Sequence, residues 1–190
     1  MKVQWGKSKK DNSLSLLHVE AGSCAAETAA GTFQANTVLA VGGNAGTVAM
    51  LSSILNLVLA VTLIKVPSLV SNKQNAIKRT TSIISFINVF TWLPLIFAML
   101  LGAHVSPILI IALWVINMVP AVLVYPLRDH WLASIAPTEN MGRYLSIRSI
   151  ISGIAYLIPY LAMGWFIQMT GNHARSYTIV IVLGLVAAAI

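Results

Sequence analysis

Four stretches of this chain carry no Asp, Glu, Lys or Arg: residues 28–64, 80–127, 149–174 and 176–190. Within them apolar side chains run on without the strict alternation of a half-buried strand, as in LIFAMLLG (95–102) and IVIVLGLVAAAI (179–190). A helix that crosses the hydrocarbon core of a bilayer needs about 20 apolar residues, so the run 80–127 holds two spans and a turn, and 149–174 holds one. Lipid offers the backbone no hydrogen-bond partners, which leaves only helices or a closed barrel. Barrel strands would alternate polar and apolar over about 10 residues. The pattern therefore predicts an all-α, polytopic helical membrane protein.

The expected spans are 14–41, 46–66, 80–101, 106–127 with an extension towards 135, and 145–168, preceded by a tail over residues 1–13. A sixth begins near 177. From Tyr177 to Ile190 a helix reaches about 21 Å, short of the roughly 30 Å core, so this span is expected to be incomplete: either the natural chain continues, or the product is truncated. The turns VGGNAGT (41–47) and GAHVSP (102–107) are short and uncharged, and their Gly, Asn and Pro mark breaks between antiparallel neighbours.

Charge then orients the spans. The N-terminus (Lys2, Lys7, Lys9, Lys10), the 65–79 loop (Lys65, Lys73, Lys78, Arg79) and the 128–148 loop (Arg128, Arg143, Arg148) hold all the basic residues except Arg175. Alternate loops thus agree, and the positive-inside bias places the N-terminus in the cytoplasm of a cell-membrane protein. The net charge of +7 is this topology signal and calls for no nucleic acid. Two Glu inside the would-be apolar core of LSLLHVEAGSCAAETAAG argue against a cleaved signal peptide. The single cysteine, Cys24, forms no internal disulfide.

The first span carries the chemistry. It contains His18, Glu20, Ser23, Glu27, Thr28, Thr32, Gln34 and Asn36, although an acid at the bilayer centre costs about 2.5–3.5 kcal/mol on insertion scales. Glu20, Cys24, Glu27, Gly31 and Gln34 share one helical stripe. With the hydrocarbon beginning near Leu14, Glu20 lies roughly 9 Å in and Glu27 about 20 Å in. One reading lines a central aqueous cavity with this stripe, where Glu27, with Glu20 and Gln34, binds a cationic group or a proton. The other keeps Glu27 protonated and hydrogen-bonded to a neighbouring helix, and lets Glu20 reach interfacial water. Asn56, Asn88 and Asn117 are single polar groups of the kind that bridge membrane helices. Asn117, midway along the fourth span, is also a candidate for the cavity wall. Gly153, Tyr156, Tyr160 and Gly164 form one stripe of the fifth span, read as helix packing through small residues. Trp92 with Pro94, and Pro120 with Pro126, suggest kinks.

No enzyme emerges. His18, His104, His130 and His173 are scattered, and there is no HExxH, Cys/His cluster, GxSxG or P-loop. Glu20 and Glu27 alone offer a hard ion too few oxygens. Neither a metal nor a cofactor is expected.

The loop WLASIAPTENMGRYLSIRSIISG (131–153) resembles the loop between helices four and five of major facilitator superfamily transporters, where a Pro, a polar turn and Gly-Arg (here Pro137, Gly142, Arg143) precede the fifth helix. The end of the first span, NTVLAVGG (36–43), and the basic loop between spans two and three are also similar to that superfamily. The resemblance covers about residues 14–190 and implies the N-terminal half of a twelve-helix bundle. It further implies a secondary transporter of a small solute, working by alternating access beside a C-terminal half from the same chain or a second copy.

There are departures. PSLVSNKQNAIKR (67–79) keeps Leu69, Lys78 and Arg79 of the superfamily's loop signature but has neither its Asp nor its Gly. The fourth span lacks an Arg and the fifth a Gly-Pro pair, which disfavours drug/proton antiport. The resemblance implies a cytoplasmic gate at Arg128, Asp129, Glu139, Arg143 and Arg148. Residue chemistry alone reads the same groups as topology signal and helix cap, with Glu139 and Arg143 a favourable i, i+4 pair. The alternative function is a non-transporting membrane protein, a truncated remnant or a packing subunit of a larger membrane complex.

Overall fold

The computed structural model describes residues 31–69, 74–135, 141–171 and 173–189. Their fold is all-α, as the charge-free runs predict. After a π-helical turn at Gly31 and Thr32 come α1 (Phe33–Ala40), α2 (Ala45–Leu69), α3 (Gln74–Leu101), a 3₁₀ turn (Gly102–His104), α4 (Pro107–Ile135), α5 (Met141–Thr170) and α6 (Ala174–Ala189). Glu20, Glu27 and Glu139 lie outside the described residues.

Four helices are long and apolar enough to cross a membrane, over Ala45–Ile64, Arg79–Leu101, Pro107–His130 and Gly142–Thr170. At 1.5 Å per residue even the shortest of these reaches about 30 Å, the thickness of a hydrocarbon core. The outward faces are as apolar as the inner ones. Leu57, Ile64, Phe86, Phe97, Ile150 and Ile158 all stand exposed, far more than a soluble domain leaves bare. These features fit a membrane protein.

The turns at one end of the bundle are built around glycine. Gly42 (φ +91°), Gly102 (φ +59°) and Gly171 (φ +84°) sit in the left-handed region that ends helices α1, α3 and α5. At the first of these turns the amide of Gly42 donates to the carbonyl of Leu39 at 3.0 Å and that of Gly43 to Val38 at 2.9 Å. Asn44 and Thr47 then start α2 by a reciprocal cap. The Thr47 amide donates to Asn44 Oδ1 at 3.0 Å, and the Asn44 amide to Thr47 Oγ1 at 2.8 Å. Two otherwise orphaned donors are satisfied, as in a capping box. Pro107 opens α4 at the one helical position where its missing N–H costs nothing.

α4 is the centre of the packing: α3, α2 and α1 lie against it, and α6 packs on α3 and α1. The shared core joins Leu95 and Met99 of α3, Ile110, Ile111 and Trp114 of α4, Val38 of α1, Leu51 of α2, and Tyr177, Val180 and Ile181 of α6. Each set recurs at helical spacing, and all of it lies towards the glycine-turn end. Pro94, Pro120, Pro126 and Pro159 lie inside helices that continue through them. Helix α5 stands apart. Among the described elements it makes substantial backbone contact with α6 alone, and only 6% of its span is buried.

Candidate functional site

Where α5 passes α1, the two helices flank an open cleft of about 370 Å³. The wall from the first helix is Thr32, Phe33 and Asn36, at spacing i, i+1, i+4. The wall from α5 is Tyr160, Leu161, Gly164, Trp165 and Gln168, at spacing i, i+1, i+4, i+5, i+8. Each set forms one face of its helix. Gly164 keeps the α5 wall back, since a Cβ there would meet nothing within 4 Å.

Aromatic rings floor the cleft. Phe33 and Tyr160 stack at 6.4 Å with planes 23° apart, and Tyr160 stacks in turn on Tyr156 at 6.3 Å and 10°. Tyr177 of α6 closes on the other side of Phe33 at 6.3 Å. The hydroxyls of Thr32 and Tyr156 hydrogen-bond at 2.9 Å and tie α5 to the start of α1. Tyr160 lies ten residues from the end of α5, about 15 Å along the helix and so near mid-depth of a roughly 30 Å core. The cleft therefore runs from the glycine-turn end to the middle of the bundle. Its described lining holds two primary amides, a phenol and a hydroxyl, with no charged side chain.

The other sequence candidates fall elsewhere. Gln34 is half-buried and turned from the cleft lining, and its carbonyl accepts from the Thr37 hydroxyl at 2.7 Å. Asn117 is only 3% exposed and donates through Nδ2 to Thr91 Oγ1 of α3 at 2.9 Å. Thr91 Oγ1 in turn donates to the Asn88 carbonyl at 2.6 Å. One turn away, Trp114 Nε1 donates to Thr37 Oγ1 at 2.9 Å, and its ring meets that of Trp92 edge-on at 6.2 Å. Asn117 is thus placed in a polar bridge that ties α4 to α3, with Trp114 tying α4 to α1. The Nε1 of Trp92 and the Oδ1 of Asn88 are buried with no hydrogen-bond partner among the described residues.

At the opposite end, Arg148 of α5 pairs with Asp129 of α4 at 2.8 Å. Arg128 is 3% exposed and its guanidinium lies over the Tyr125 ring, 4.9 Å from the centroid. Arg143 is exposed. Because the Asp129 side chain is 56% exposed, water screens the pair, and such pairs contribute about 0–1 kcal/mol. Asp129→Asn is accordingly expected to lower stability by less than about 1 kcal/mol, followed by helical circular dichroism during denaturation in mixed micelles. A loss several times larger would show that the pair is a principal fastening of α5.

Phe33, Leu161, Trp165 and Gln168 were not singled out by sequence reasoning. The available signal was the run Tyr160, Gly164, Gln168 at i, i+4, i+8, which continues the Tyr156 stripe. Among the described residues no group of three or more His, Cys, Asp or Glu is placed to hold a metal ion. No family model, curated protein or solved structure matches the chain.

Proposed function

We propose that this chain is one half of a secondary transporter of the major facilitator type, which moves a small solute across the cell membrane by alternating access. The observation that carries the reading is the amide- and aromatic-lined cleft between α1 and α5. It runs to mid-depth of a bundle whose outer faces are apolar. A packing protein gains nothing from the Thr32 and Tyr160 hydroxyls at that depth, where unpaired polar groups are costly, nor from Asn36 and Gln168 nearer the glycine-turn end. A transporter needs them, because secondary transporters seat their solute near the bilayer midplane between two repeats. The second half comes from the same chain or from another copy, and the N-terminus lies in the cytoplasm. On this reading the Asp129–Arg148 pair belongs to the cytoplasmic gate, with Arg128 and Arg143 beside it and Glu139 in the same loop. Glu20 and Glu27 of the first span remain candidates for the coupling or substrate charge.

The test is solvent access. In a Cys24→Ala background, Asn36→Cys in the cleft is expected to react from the outer side with a membrane-impermeant maleimide, while Ile158→Cys on the apolar face stays unreacted. Equal protection of both positions would sink the aqueous cleft and leave the packing-subunit reading, which the sparse contacts of α5 favour. The intact mass of the native product then separates the two sources of the second half. A mass near twice 20.4 kDa places both halves in one chain.

A further inference from the structure

Of the asparagines that the sequence offers as bridges between helices, Asn117 finds its partner inside the chain, on Thr91 of α3. Asn56 does not. Its side chain is exposed on α2 and makes no hydrogen bond among the described residues. The apolar span of α2 runs from Ala45 to Ile64, which puts Asn56 about 17 Å from one end and about 12 Å from the other. An amide at this depth has no water to turn to, and leaving it unpaired in hydrocarbon is costly.

The face around it suits a second helix. Gly46, Ala49, Ser53, Asn56, Ala60 and Leu63 follow one another in alternating steps of three and four residues, the seam of a left-handed helix pair. All six are exposed. Leu51, Leu55 and Thr62, on the opposite face, are buried, where α2 packs on α4 and α1. The seam therefore points away from the bundle. Four of its six residues are Gly, Ala or Ser, which let another backbone approach closely. The Ser53 hydroxyl already donates to the Ala49 carbonyl at 2.9 Å, so the Asn56 amide is the seam group that calls for a partner from outside.

That partner has to accept and donate at one depth, because an amide offers an acceptor and two donors. A second copy supplies this with nothing further specified. Copies inserted under the same charge bias share one orientation in the membrane. A twofold axis along the membrane normal then sets each seam residue against itself at equal depth, an isologous contact. The carbonyl oxygen of one Asn56 accepts from the amide of the other, and a single Asn in such a seam also fixes its register.

We infer that α2 is the interface of a parallel homodimer, closed at mid-membrane by Asn56 on Asn56. The pairing goes beyond the transport reading and holds whether or not the cleft carries a solute.

Cross-linking and dilution test it together. In the Cys24→Ala background, the full chain bearing Ala49→Cys, Ala60→Cys or Phe97→Cys is oxidised in the membranes of expressing cells. A disulfide needs Cβ atoms about 3.5–4.5 Å apart. Covalent dimer is expected from the two seam positions and not from Phe97, on the exposed face of α3. Energy transfer between labelled copies in phosphatidylcholine vesicles, followed as lipid is added, then gives the dissociation constant. Asn56→Leu is expected to weaken the pairing about tenfold, equivalent to about 1.4 kcal/mol. Asn56→Gln, which keeps an amide, should recover most of the loss. Equal cross-linking at all three positions reports random collision and overturns the interface. Energy transfer that Asn56→Leu leaves unchanged overturns the role of the amide, and monomers at every dilution overturn the second copy as the occupant of the seam. Each of these failures leaves the cleft and its labelling test standing.

Discussion

Trp114→Ala is expected to destabilise the bundle by about 3 kcal/mol, the low end of the range for Trp-to-Ala changes in cores. The ring is fully buried and touches three helices: its own, α1 through the Thr37 hydroxyl, and α3 through the edge of Trp92. The figure sits at the low end for a physical reason. Lipid tails are as apolar as the core, so removing the side chain forfeits packing and a hydrogen bond but little transfer energy. Trp92 makes the contrast. Its N–H is buried with no partner among the described residues, so Trp92→Phe removes an unsatisfied donor and keeps most of the ring. That variant is expected to be neutral, or more stable by up to about 1 kcal/mol. Trp114→Phe, which deletes a donor that is used, should lose about 0.6 kcal/mol, the mean for a membrane interhelical hydrogen bond. Denaturation in mixed micelles, read by helical circular dichroism, ranks the three. The reverse order for the two phenylalanine variants would mean that the Trp92 N–H has a partner in the membrane.

Gly43→Ala should cost about 1–3 kcal/mol, the usual range for overpacking. A Cβ at this position meets Val38 Cγ1 at 2.6 Å, the Val38 carbonyl oxygen at 2.7 Å and Thr47 Oγ1 at 2.8 Å. The valine tip can rotate, but the carbonyl is backbone and accepts the Gly43 amide, and Thr47 is half of the cap of α2. Relief therefore requires the turn to open, and the Asn44–Thr47 exchange goes with it. Gly42 differs in kind. Its Cβ would meet open space, while its φ of +91° strains any other L-residue by about 1–2 kcal/mol. The two alanine variants are thus separable: Gly42→Ala should keep the protection of the Thr47 amide against hydrogen exchange, and Gly43→Ala should lose it. Retained protection in Gly43→Ala would show that the turn absorbs the methyl group without opening.

The helices were legible because the signal that specifies them is long and one-dimensional. A charge-free run such as 80–127, interrupted by GAHVSP, contains its own spans and turn. The site was less legible, because periodicity says which residues share a face but not what the face meets. Tyr156, Tyr160 and Gly164 were recognised as one stripe and read as packing, and the structure sets Tyr160 and Gly164 on a cleft. Asn117 stood out as a polar group at mid-helix. Whether it faced a cavity or Thr91 depended on the rotation of α4 against α3, which pattern does not encode. Gln168 passed unnoticed because a polar residue near the end of a span reads as interfacial. The acids that drew most notice in the sequence, Glu20, Glu27 and Glu139, lie outside the described residues.

The loose seating of α5 has a consequence for the order in which the chain assembles during synthesis. Once α4 has left the ribosome, α2 and α3 can close on it and bury Leu51, Leu95 and Ile110 at once. Among the described helices, α5 emerges next with little more than the Arg148–Asp129 pair for α2, α3 and α4 to hold. It is followed by α6, which docks on α3 and α1 through Tyr177, Val180 and Ile181 and brings α5 against itself. Among the described residues α5 is thus held by α6 and by single contacts, Tyr156 to Thr32, Tyr160 to Phe33 and Arg148 to Asp129, and until α6 docks it is the described span most open to membrane quality control.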